Sequence, residues 1–174
     1  AYNTGNEFSY ETMSRDSGIQ KDTLKKYLEY LEAAFLIKVL NKLDSKAKQL
    51  KRITSFKVYL TNSSLRTALF SPVSELDSDM GNIVETAILS QWMHRENLNL
   101  HYARWKDKKE GEVDVVLLDE KVFKPAWAVE IKWSNRYFEK PNELQSLLHF
   151  CDNNKLSTAL VTSINKTGNV TMQN

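Results

Sequence analysis

The segment GEVDVVLLDEKVFKPAWAVEIKWSN, residues 111–135, holds two apolar runs of strand length, and each is interrupted by charge. Asp114 breaks the first run, and Glu130 and Lys132 break the second. A strand buried on both faces reads as a near-continuous apolar run, and an unpaired charge inside one costs several kcal/mol. Side chains alternate across a strand. Trp127, Val129, Ile131 and Trp133 therefore share one face of the second run, expected to pack under a helix, and Ala126, Ala128, Glu130 and Lys132 share the other. Two alanines leading to an acid and a base suggest the floor of a cleft that ends in a charged pair. Asp114, with Glu112 on its own face, can bring a second carboxylate to that cleft from the neighbouring strand.

The surrounding elements complete an α/β layer. GNIVETAILSQWMHR (81–95) has helical periodicity, with Asn82 suited to the N-cap. Glu85 precedes Ile88, Leu89 and Trp92 by three, four and seven residues, which puts it on the inward stripe. It is a candidate third carboxylate. With Asn82 as cap, Glu85 equally completes a capping box. LNLHYARW, the polar turn KDKKEG and EVDVVLL form an expected hairpin; AWAVEIKW is a third strand, PNELQSLLHF a helix with Pro141 in its first turn, and STALVTS a fourth strand. Helices covering a sheet follow from that order.

The first sixty residues differ in character. A helical pattern splits at DSGI, where Gly18 suits a helix end and Asp22 the next N-cap. Leu24, Tyr27, Leu28, Leu31 and Phe35 then define one apolar face. FLIKVL and KVYL follow as strands around the basic run NKLDSKAKQLKRI, so helix-turn-helix and hairpin together suggest a winged helix. Residues 61–80, rich in Ser, Thr and Asp with a short helical pattern near Leu65–Phe70, suit a connection between a first domain at 1–60 and a second at 81–174.

Charge follows the same division. Net charge is +2, with 11 Lys/Arg against 7 Asp/Glu in residues 1–60 and 13 against 15 in the remainder. A basic N-terminal part permits a nucleic-acid partner. Lys21, Lys25 and Lys26 on the second helix and Lys46, Lys48, Lys51 and Arg52 in the wing are the candidate phosphate contacts. No Arg/Asn/Gln cluster on that helix suggests base readout. The single cysteine, Cys151, excludes an internal disulfide and fits a reducing compartment. No run resembles a signal peptide or approaches the roughly 18 apolar residues of a membrane span, so a cytoplasmic location is expected. His94, His101 and His149 form no ligand spacing, and Trp92, Trp105, Trp127 and Trp133 suit a core. The chain opens at Ala1 inside polar sequence and stops at NVTMQN, as a fragment would.

Glu85 on a helix, Asp114 in EVDVV, and Glu130 and Lys132 in EIK resemble, in order and strand context, the PD-(D/E)XK nuclease superfamily. GNIVE, EVDVV, AVEIKWS and the region ending in KVYLTN resemble, more specifically, the C-terminal portion of a large family of bacterial and archaeal AAA-type ATPases. There a P-loop ATPase domain precedes a winged helix and a nuclease-like domain. The resemblance implies a winged helix-turn-helix followed by a restriction-endonuclease-like mixed sheet flanked by helices. It implies Mg²⁺ held by Asp114 and Glu130, with the Ile131 carbonyl a further candidate, Glu85 at a second ion or metal-bound water, and Lys132 beside the attacking water. DNA is the implied partner, together with an upstream ATPase domain. No G-x-x-x-x-G-K-[ST] occurs, so ATP binding is expected only upstream of Ala1. Gln145 followed by His149 matches the superfamily's Gln-x-x-x-Tyr helix only in part.

Two other functions suit the same residues. Asp114 and Lys132 can neutralise each other without metal, leaving a silent nuclease frame that regulates the ATPase domain. A winged helix acting as a DNA-binding regulator is the third.

Overall fold

The computed structural model describes residues 1–43, 55–93, 95, 98–106 and 110–171. The chain divides into two compact units, one drawn from Ala1–Lys42 and Leu50–Leu98, the other from Leu43–Gln49 and Asn99–Asn174.

The first unit begins with a short strand, β1 (Glu7–Phe8), and the helix α1 (Tyr10–Ser17). Ser9 Oγ accepts the Thr12 N–H at 3.1 Å while the Ser9 N–H reaches Thr12 Oγ1 at 3.3 Å, so two orphan donors at the helix start are satisfied reciprocally. Gly18 ends α1 in the left-handed conformation (φ 71°) that its missing Cβ allows. The helix α2 (Lys21–Ala33) starts earlier than the sequence suggests: Gln20 is the N-cap, and Asp22 lies in the first turn, where its charge still favours the positive helix end. Of the apolar stripe, only Leu24 and Leu28 are buried, whereas Tyr27, Leu31 and Phe35 are exposed. Phe35 leaves the helix at φ 56°, which swings it off the stripe.

The strands β2 (Ile37–Lys42) and β3 (Phe56–Leu60) pair antiparallel with Val39 opposite Val58, and β1 joins the free side of β3. Leu28, Ile37, Phe56 and Leu60 form the core with Phe8, Tyr10 and Met13 against them. The helix α3 (Ser64–Leu69) matches the short pattern in the connecting segment, and its buried Arg66 binds Asp79 at 2.7 Å. The helix α4 (Met80–Met93) begins before Asn82, so the expected Asn82 cap and its capping box with Glu85 are not formed.

The second unit is a mixed sheet in the order β4 (Leu100–Lys106), β5 (Glu110–Asp119), β6 (Lys124–Glu130), β7 (Leu160–Val161). The hairpin of β4 and β5 and the pairing of β5 with β6 are antiparallel, and β7 runs parallel to β6. Between β6 and β7 come α5 (Arg136–Glu139), a 3-10 turn (Pro141–Glu143) and α6 (Gln145–Asn154). Pro141 thus opens a separate turn and not α6. The expected packing of β6 is reversed. Leu144, Leu147 and Phe150 pack with Ala128, Ala103 and Val116, so the helix covers the alanine face, where the small side chain admits it closely. On the opposite face Val129, whose parallel partner is Leu160 of β7, is buried, but Trp133 lies past the strand end and is 37% exposed. Trp105, by contrast, packs on that core, stacked on Phe150.

Candidate functional site

The charged residues of the opening segment gather where β6 ends. Val115 pairs with Val129, so one step further along the antiparallel ladder Asp114 stands beside Glu130. Both are buried, with 7% and 6% exposure. The Ile131 N–H donates to Asp114 Oδ2 at 2.7 Å, fixing the carboxylate against the strand that carries Glu130. Lys132 Nζ meets Glu130 Oε1 at 2.7 Å and lies 5.9 Å from the centre of the Tyr137 ring. Glu130 Oε2 is buried without a hydrogen-bond partner among the described residues. Such an atom forfeits solvation that nothing else replaces.

Electrostatics follow from that packing. Burial, then the Asp114 charge, pushes the Glu130 carboxyl up to about 7, with Glu112 adding to the rise and Lys132 opposing it. Burial pulls Lys132 down, but facing Glu130, Asp114 and Tyr137 it ends above the ordinary lysine value. The two directions pull against each other, because a neutral Glu130 would not hold Lys132 up. A 2.7 Å contact favours the ionised pair, while burial and then the neighbouring Asp114 favour a proton on Glu130.

Two carboxylates beside one ammonium leave an excess negative charge, and the orphaned Glu130 oxygen offers it to a cation. Magnesium typically takes one or two protein carboxylates and fills its remaining positions with water and substrate oxygens, so Asp114 and Glu130 fit it as a donor set. Among the described residues no group of three or more His, Cys, Asp and Glu side chains is placed to hold a metal. Glu112 is spoken for by Arg104, whose Nε lies 3.6 Å away.

Glu85 belongs to the first unit. Its Oε2 accepts the Tyr59 hydroxyl at 3.0 Å and its Oε1 lies 3.7 Å from Lys57 Nζ. Lys57 and Tyr59 are themselves buried on β3, so an inward-facing Glu85 is matched by a buried base from the adjoining strand. Gly5, at φ 82°, passes so close that a Cβ there would stand 3.0 Å from Glu85 Oε2.

Of the candidate phosphate contacts, Lys21 pairs with Glu11 at 2.8 Å and Lys25 lies 3.9 Å from Glu29. Both lysines line a groove of about 490 Å³ that also holds Asp22, Glu32 and Lys38. Lys26 is exposed outside that groove. Lys46, Lys48, Lys51, Arg52 and His94 lie outside the described residues. His149 contacts Asn153 and packs near Trp105, and burial lowers the His101 pKa. Gln145 is the first residue of α6, bonded to the Asn142 carbonyl.

The sequence did not point to Thr162 or Tyr137. Thr162 contacts the backbone of Glu130 and Lys132 across some thirty positions, and only the parallel pairing of β7 with β6 brings it there. Among the described residues no helix is long and apolar enough to cross a membrane.

Two family models match the chain. Residues 1–77 match a domain of unknown function, DUF8612. No curated protein and no solved structure gives a match. Residues 80–172, more than half of the chain and the segment that carries Asp114, Glu130 and Lys132, match a second domain of unknown function, DUF4143, and the chain belongs to that family.

Proposed function

We propose that the second unit is a restriction-endonuclease-like domain with a Mg²⁺-dependent phosphodiesterase site, in the C-terminal part of an AAA-type ATPase. DUF4143 domains occur in such C-terminal regions. The strand order supports the fold reading, since three antiparallel strands, a helix and a parallel fourth strand place an acid on the second strand and E-x-K at the end of the third. One observation carries the functional reading: Glu130 Oε2 is buried and unpartnered next to a second buried carboxylate. A structural ion pair repays its burial best when the remaining oxygen is hydrogen-bonded as well.

Asp114 and Glu130 would hold the ion; Glu85, expected from the sequence at a second ion, is engaged by Tyr59 and Lys57 in the first unit. A bound divalent cation supplies charge compensation for the phosphate and lowers the pKa of water. The chain's own groups do the rest. The Ile131 N–H orients Asp114 Oδ2. Lys132 keeps its proton at neutral pH and can donate it in a hydrogen bond to a phosphate oxygen or an attacking water. Lys132 also partners Glu130 at 2.7 Å, a charge that a bound cation would share. The first unit, with two helices followed by a hairpin, suits a winged helix that contacts DNA.

Calorimetric titration with Mn²⁺ or Mg²⁺ tests the site. Wild type is expected to bind, Asp114→Ala and Glu130→Ala to lose binding, and Lys132→Ala to keep the metal while losing cleavage of DNA or RNA. No binding by wild type, or equal binding by the carboxylate variants, would sink the metal site. Metal binding without turnover on any nucleic acid would leave a silent frame in place of a nuclease.

A further inference from the structure

The E-x-K segment is held by its backbone as well as by its charges. The Thr162 N–H donates to the Glu130 carbonyl at 3.0 Å, the Lys132 N–H donates to Thr162 Oγ1 at 2.8 Å, and the Thr162 hydroxyl donates to the Lys132 carbonyl at 3.1 Å. One side chain thus accepts from and donates to the same residue, while its own amide holds the residue two positions earlier. These bonds lie where regular β6 pairing stops, after Glu130, so no strand ladder fixes Lys132. Between the two clamped residues, the Ile131 N–H is given to Asp114. Loosening either neighbour of Ile131 therefore changes how Asp114 faces Glu130.

We infer that Thr162 is the positioning residue of the site: its hydroxyl fixes the Glu130–Ile131–Lys132 backbone so that Glu130, Lys132 and Asp114 meet. The role rests on the metal-site reading for its purpose, but it has a signature that does not need metal. The Thr162 hydroxyl is engaged by Lys132, and the Ile131 amide by Asp114. A purely local hydroxyl bond would leave the Ile131 amide undisturbed. A positioning hydroxyl would not.

The test compares Thr162→Val, which keeps the shape and removes the hydroxyl, with Thr162→Ser, which keeps the hydroxyl. Thr162→Ala stands in if the valine variant does not fold. Amide hydrogen exchange at Ile131 is expected to speed up about tenfold or more in the valine variant and to return toward wild type in the serine variant, with Leu118, whose N–H donates to the Asn99 carbonyl, still protected. Mn²⁺ affinity is expected to fall about tenfold in the valine variant and to be recovered by serine, as for other groups that orient metal ligands. Unchanged exchange at Ile131 in the hydroxyl-free variants overturns the inference, as does unchanged Mn²⁺ affinity where wild type binds the ion. If wild type binds no Mn²⁺, the metal-site reading falls on its own, and exchange at Ile131 alone decides for or against Thr162.

Discussion

Glu130 carries the greatest electrostatic tension in the site. Its carboxyl titrates near 7 in the folded chain and near 4.5 when unfolded, because burial and Asp114 both disfavour its charge. Between those values the folded state binds the extra proton, so stability from this group is fully present below about 4.5 and is lost as pH rises through about 7. The loss is at most on the order of 3 kcal/mol. Urea unfolding of the metal-free protein from pH 5 to 8 should show that decline, and Glu130→Gln, which cannot ionise, should flatten it. A wild type whose stability is level across this window would contradict the tension at Glu130. Period-two alternation made the location of these charges legible, since a charge in an apolar run is conspicuous. The anchoring of Asp114 on Ile131 and the clamp from Thr162 were not, because both arise from contacts between residues 17 and 30 positions apart.

Element by element, hydrophobic runs placed the strands well, and helix starts less well. Asn82 and Asp22 both look like caps, yet α4 and α2 begin before them, since cap preference is worth only about 1 kcal/mol and tertiary packing overrides it. The packed face of β6 departs from expectation for a related reason. Two tryptophans invite cover, but α6 needs close approach more than it needs area, and Ala128 provides it. Gly111 shows the same constraint on β5. A Cβ there would overlap the ring of Trp105, which stacks on Phe150 with centroids 6.4 Å apart. Gly111→Ala should therefore push Trp105 off its stack and destabilise the second unit by roughly 1–3 kcal/mol, the usual range for overpacking. A lower urea midpoint at unchanged m, with altered tryptophan emission, is the expected signature. A midpoint equal to wild type would mean that β5 shifts freely.

At the scale of the whole molecule, the order of helices and strands was readable. The family models meet near residue 80, whereas α4 groups with the first unit. Charge shows a similar redistribution. Of the surplus of four positive charges in residues 1–60, three come from residues 44–54, with Lys46, Lys48, Lys51 and Arg52 against Asp44. On α2, by contrast, Lys21 and Lys25 share their groove with Glu11, Asp22, Glu29 and Glu32, which cancel the field that would attract a phosphate. If the first unit contacts DNA as proposed, binding should depend on the basic run more than on the groove side of α2, and no binding by wild type would sink that proposal. Anisotropy titrations of duplex DNA across a salt series separate the two. Replacing Lys51 and Arg52 with Ala should lower the slope of log affinity against log salt by about two, at near 0.9 for each phosphate that is no longer neutralised. Replacing Lys21 and Lys25 should change it by much less, and Lys26→Ala, outside the groove, by at most about one. A larger drop in slope from the Lys21 and Lys25 pair than from Lys51 and Arg52 would place α2 against the phosphates, and the acids of its groove would then have to be displaced on binding.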